Sequence, residues 1–271
     1  MSATRHDPLA IFAAQRAIDL TAFVGTWPWR LQAAADAARL GELADRLGLR
    51  GLCVSHLASI FGYDTRSGND ALWREVEGDE RLWPFVIINP TEPGWMDELA
   101  RAERNAARGV RLVPAYQGFR LDSPAVADLF EATDAAGLPV QVCLNLDDER
   151  VRHRRYAVDS ISDAEIAELL RTRAGRPIGL SGVKFSDWPA IAAHLDHGHD
   201  LSRVIVDLWF TNGPVGAIGE LCGDGLDSLF GYGSCQPVQE ALATAYQLGA
   251  AGVAEDQLRR LCAGNAERWL S

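Results

Sequence analysis

Short runs rich in β-branched and aromatic residues alternate with amphipathic stretches along almost the whole chain, and few architectures accept that order. The runs are Ala17 to Val24, Gly51 to His56, Trp83 to Asn89, Val110 to Pro114, Pro139 to Leu144, Ile178 to Phe185, Arg203 to Trp209 and Ser228 to Tyr232, eight in all. Between them, Ala33 to Leu47, Trp95 to Ala107, Ala125 to Ala136, Asp163 to Arg173 and Val238 to Leu248 place apolar residues three and four apart, the spacing of one helix face. Strands separated by helices return by crossovers and therefore pair in parallel. Helix punctuation agrees. Ser123-Pro124 reads as an N-cap with proline at the first helical position, Ser162-Asp163-Ala164-Glu165 spells a capping box, and Gly48, Gly109, Gly137 and Gly249 follow helical stretches. Eight such units in 271 residues predict an α/β protein with one (β/α)8 TIM barrel over 1–271, distorted from the ideal. An open doubly wound sheet would want a glycine-rich phosphate loop after the first strand, where Thr26-Trp27-Pro28-Trp29 stands.

The formal charge of −11 is spread along the chain, which argues against nucleic acid or an anionic membrane as partner. No eighteen apolar residues run together, and Arg5, His6, Asp7, Arg16 and Asp19 interrupt the first twenty, so neither a membrane span nor a signal peptide is expected. Five scattered cysteines without a C-x-x-C pair suit reduced thiols, and the expected location is the cytoplasm.

In a barrel of this kind the active site lies at the C-terminal ends of the strands. There the sequence places Thr21, Phe23 and the Trp27–Arg30 loop, Ser55 and His56, Asn89, Arg111 and Tyr116, Cys143 and Asn145, Lys184, Asp207 and Trp209.

Several strings make the chain resemble the amidohydrolase superfamily, in particular its amino-carboxymuconate semialdehyde decarboxylase-like branch. They are Ile18-Asp19 opening the first strand, Gly109-Val110-Arg111-Leu112, Gly137-Leu138-Pro139-Val140, Leu229-Phe230-Gly231 and the closing Cys262-Ala263-Gly264-Asn265-Ala266-Glu267-Arg268-Trp269-Leu270. The resemblance implies a barrel with D-x-H-x-H on the first strand, histidines after the fifth and sixth, and an aspartate after the eighth, all binding a divalent metal that activates water. Here Thr21 and Phe23 replace the first pair, and Cys143 or Asn145 replaces the fifth-strand histidine. The sixth strand ends in Ser181-Gly182-Val183-Lys184, and Gly231-Tyr232-Gly233-Ser234 stands at the eighth. The chain thus reads as a divergent subgroup without the metal ligands, and neither a metal nor another cofactor is expected. The resemblance also implies a homodimer.

Polar residues near the strand ends supply the candidate chemistry. His153, in the charged run from Asp147 to Arg155, could act as acid or base, with Asp148 beside it; a solvated loop is the bland alternative. Lys184 is the only lysine among 26 basic Lys and Arg residues, so composition alone does not explain it. A lowered-pKa base, a Schiff-base amine or an anion anchor would use it. Tyr116 completes the catalytic set. Trp27, Arg30, Ser55, His56, Asn89, Arg111, Asn145, Arg152, Asp207 and Trp209 are the candidate substrate contacts, although a buried structural ion pair is the better account of Asp19 and Arg111. Cys143 reads as core rather than nucleophile, and His194, His197 and His199 as a solvated turn rather than a zinc site.

Two readings remain open on these residues. One is a metal-independent hydrolase or lyase acting on a small anionic or cyclic substrate. The other is a non-catalytic ligand-binding relative of the same fold.

Overall fold

The computed structural model describes residues 7–30, 34–148, 150, 152, 158–211 and 216–271. All eight expected strands are present among them: Ile18–Thr26, Gly51–His56, Leu82–Ile87, Gly109–Leu112, Val140–Cys143, Ile178–Ser181, Val204–Asp207 and Phe230–Gly231. Each pairs in parallel with the next in chain order, as crossover helices require. The ring closes beyond the short eighth strand, where Leu20 N donates to Tyr232 O at 3.0 Å, Phe23 N to Gln236 O at 2.7 Å and Cys235 N to Thr21 O at 2.7 Å. A two-residue strand, Ala34–Ala35, adds an antiparallel edge to the end of the first strand.

The expected helices lie at Ala37–Leu47, Trp95–Arg104, Pro124–Ala135, Asp163–Thr172 and Ala241–Ala250. Asp163–Thr172 starts on the anticipated capping box, with Ser162 and Glu165 bonding each other's backbone N–H. Ser123 occupies the N-cap of the preceding helix, but its hydroxyl makes no cap bond. Gly249 lies inside Ala241–Ala250 instead of ending it, because a Cβ there would stand 1.8 Å from the Pro8 carbonyl of the N-terminal helix Pro8–Ala14. Periodicity had not marked Thr65–Val76, whose Ser, Gly, Asn and Asp dilute the apolar face. No described helix is long and apolar enough to cross a membrane.

Three layers fill the barrel. At the N-terminal end Ile18, Leu20, Cys53, Phe85, Ile205 and Trp269 form an apolar floor. At the C-terminal mouth Phe23, Trp27, Ile87, Val113, Cys143, Leu146, Trp209 and Cys235 form an apolar plug. Each fully buried large apolar side chain there contributes about 1.5–3 kcal/mol. Between the two lies a polar layer centred on Arg111, whose guanidinium stands 4.8 Å from the Phe23 ring above and 5.7 Å from Phe85 below. Outside the strands a larger apolar cluster packs the sheet against the helices.

Candidate functional site

Arg111 is fully buried, and each of its five N–H donors has an acceptor. Nε donates to Gln141 Oε1 at 2.7 Å, Nη1 to Ser55 Oγ and Ala22 O, and Nη2 to Leu20 O and Cys53 O. The network continues in one direction towards a carboxylate: Gln141 Nε2 donates to Thr21 Oγ1 at 2.8 Å, and Thr21 Oγ1 to Asp207 Oδ2 at 2.5 Å. Dipoles aligned head to tail between a guanidinium and a carboxyl strengthen one another in a dry interior. Burial drives the Asp207 carboxyl up to about 7, against the hydrogen bonds from Ser181, Thr21 and Gly182 and the charge of Arg111. Asp19, equally buried, is pushed up to about 6; its Oδ1 accepts from Thr21 N and Ser234 N, while Oδ2 has no partner among the described residues.

This interior does not fit a divalent metal. Phe23 has no donor atom and belongs to the plug, Thr21 Oγ1 is committed on both sides, and burial raises the Cys143 thiol to about 12. Side chains cannot be restored at the two glycines without rebuilding. A Cβ at Gly233 would lie 2.7 Å from Asp207 Cβ, and one at Gly182, whose φ is +86°, would lie 2.4 Å from the Asn145 carbonyl oxygen. The two carboxyls that remain share the space with a fixed cation, which repels a second one. Among the described residues no three His, Cys, Asp or Glu side chains form a metal-sized group.

The same geometry moves six expected substrate contacts into the structural core. Ser55 donates to Phe85 O and accepts from Arg111, Asp207 ends the interior chain, and Trp209 donates to Ser181 Oγ at 2.9 Å. Trp27 is 1% exposed, packed edge-on to Phe61 at 5.1 Å, and Arg111 has no donor left for a ligand. Asn89 caps its own turn through Thr91. Of the remaining contacts, Arg30 is exposed and donates to Val238 O. His56 accepts from Ala58 N on Nδ1, and burial lowers its pKa.

The open space lies to one side, over the ends of the fifth, sixth and seventh strands. A cleft of about 670 Å³ there is lined by Asn145, Asp148, Arg152, Lys184, Phe210 and Thr211, among others. Four expected site residues therefore do converge: Asn145, Asp148, Arg152 and Lys184. His153 falls outside the described residues.

Lys184 is half-buried, with Nζ 4.9 Å over the Phe210 ring, which is stacked on Trp209 at 4.7 Å. Arg150 hydrogen-bonds Asp148 and holds its carboxyl down near 2, with a smaller contribution from Lys184. Asp147, which the sequence reading passed over for its neighbour, is 3% exposed and accepts from Tyr116 Oη at 2.5 Å and from Arg152 Nη2 at 2.8 Å. Tyr116 Oη in turn accepts from Leu146 N. Burial, then the Asp147 charge, pushes the Tyr116 phenol well above its ordinary range, so it stays neutral and positions Arg152. Thr211 was also overlooked; a lone threonine after an apolar strand carries no sequence signal.

The fold has counterparts among solved structures. It aligns with 2,6-dihydroxybenzoate decarboxylase from Rhizobium at a TM-score of 0.69 and 14% identity, covering 94% of this chain and 98% of that one. The fold is a (β/α)8 barrel shared with this enzyme. The 5-carboxyvanillate decarboxylase from Sphingomonas paucimobilis gives 0.70 and 15%, covering 94% and 99%. A probable 2-pyrone-4,6-dicarboxylic acid hydrolase from Acinetobacter baumannii gives 0.67 and 11%, again covering 94% and 99%. No protein-family model matches the sequence, and no curated protein matches it. At these identities the likeness establishes the fold alone.

Proposed function

We propose that the chain is a small-molecule hydrolase or lyase that takes a small anionic substrate into the cleft over the fifth to seventh strands and works without a divalent metal at the barrel centre. The observation that carries this is the convergence of Lys184, Arg152, Asn145 and Asp148 in one cleft at the C-terminal strand ends. Decarboxylases and a hydrolase named for small cyclic acids share the fold, which supports the substrate size and class.

The roles follow from the charges. Lys184 is the amine of the cleft, suited to anchor an anion or to act on a developing carbanion or leaving oxygen. A charge-assisted hydrogen bond of this kind contributes about 1.5–3 kcal/mol. Arg152 keeps Nη1 outside its bonds to Asp147 and Tyr116 and can add a second donor. Asp148 is ionised at neutral pH and so can orient a water or accept a proton, not deliver one.

The experiment is a screen of hydroxybenzoates and lactone carboxylates with and without a chelator, alongside elemental analysis. Turnover is expected to survive chelation and to disappear in Lys184→Met with thermal stability unchanged. A stoichiometric divalent metal whose removal abolishes turnover would overturn this reading. The apolar plug over the barrel centre favours a second one, ligand binding without turnover. Under it, Lys184→Met would abolish binding in a protein that turns over nothing in the screen.

A further inference from the structure

Thr211 lines the cleft, is only 3% exposed, and its hydroxyl has no hydrogen-bond partner among the described residues. Buried polar atoms are almost always answered, so an unanswered one on a residue that lines a cleft is where a ligand atom can supply the missing partner. Lys184 stands close by, its ammonium held over the ring of Phe210, the residue preceding Thr211. Among the described residues the cleft holds the ion pairs Arg150–Asp148 and Arg152–Asp147, and Lys184 belongs to neither. Among the exposed residues that line the same cleft are Asp159, Asp187 and Glu220, none of which forms an ion pair among the described residues, beside Arg150, which is paired with Asp148.

We propose that Lys184 Nζ and Thr211 Oγ1 clamp one carboxylate of the ligand, and that the acidic rim selects a ligand whose opposite end is cationic. This rests on the cleft being the substrate site and narrows its substrate class from anions in general to zwitterions. A dianion of the same size satisfies the clamp but meets three carboxylates at the rim, whereas an ammonium there meets three partners. Phe185 and Phe210 both line the cleft, whose volume of about 670 Å³ admits a ring.

Three probes matched in shape test this: 4-(aminomethyl)benzoate, 4-ethylbenzoate and terephthalate, titrated calorimetrically at low ionic strength. The zwitterion is expected to bind about tenfold more tightly than the dianion, with the ratio shrinking as salt is added. Lys184→Met should weaken all three. Thr211→Val should weaken each about tenfold while leaving thermal stability unchanged or higher, since the variant removes an unsatisfied hydroxyl. Asp159→Asn/Asp187→Asn/Glu220→Gln should bring the ratio towards one with the clamp intact. No binding of 4-(aminomethyl)benzoate at millimolar concentration, or terephthalate binding as tightly as the zwitterion, overturns the proposal. Binding of all three probes that Lys184→Met leaves untouched would put the ligand elsewhere and overturn the cleft itself.

Discussion

Replacing Asp207 with asparagine should change how stability depends on pH, and the size of the change follows from the interior network. In the folded protein the carboxyl titrates at about 7, against 3.8 as the ordinary value. Between those limits the folded state keeps a proton that the unfolded state has lost, so the wild type loses stability as pH rises through the interval. A shift of about three units corresponds to about 4 kcal/mol as an upper figure. Asparagine has no such proton. Its side-chain oxygen still accepts from Thr21 Oγ1, and what it gives up, the long 3.3 Å bond from Gly182 N and the interaction with Ser181, is a cost that does not depend on pH. Urea unfolding of both proteins from about pH 4 to about pH 8 isolates the effect, because every other titrating group cancels in the difference. The variant should gain on the wild type by up to about 4 kcal/mol across the range and level off above pH 7. A difference that stays flat, or that moves in favour of the wild type as pH rises, would refute the placement of Asp207 in a dry interior.

Three further outcomes test the architecture. Gly233→Ala should cost about 1–3 kcal/mol by pressing on Asp207, and a double-mutant cycle with Asp207→Gly should recover part of it as coupling; additive effects would count against the contact. Tyr116→Phe should cost about 1–3 kcal/mol in urea unfolding, because Leu146 N–H loses its acceptor inside the fold. Arg111→Met should destabilise by about 3–5 kcal/mol, since it strips partners from Gln141, Ser55 and three backbone carbonyls.

The barrel was legible because periodicity reports which face of an element is buried, and all eight strands were found within a few residues of their expected ends. The site was legible only in part. Asn145, Asp148, Arg152 and Lys184 share the cleft, whereas Trp27, Ser55, Arg111, Asp207 and Trp209, chosen by the same rule of strand ends, turned inward. A strand end fixes the height of a residue along the barrel axis but not whether the mouth above it is open. That depended on the packing of Phe23, Leu146 and Cys235, which come from distant parts of the chain. Asp147 and Asp148 were indistinguishable as letters. Backbone direction gave the first to Tyr116 and Arg152 and the second to Arg150.

The plug that caps the barrel has a consequence for how this protein can change. Because an apolar layer stands between the Arg111 network and much of the cleft, with Gly182 linking Asp207 to Asn145, the free energies of substitutions on the two sides should add except along that link. The cleft can then acquire new ligand preferences at little cost to the fold. The interior, with its donors fully matched, tolerates almost no trial and error. Variation among descendants of this chain should therefore collect around Lys184 and Thr211 while the residues from Asp19 to Phe23 stay fixed.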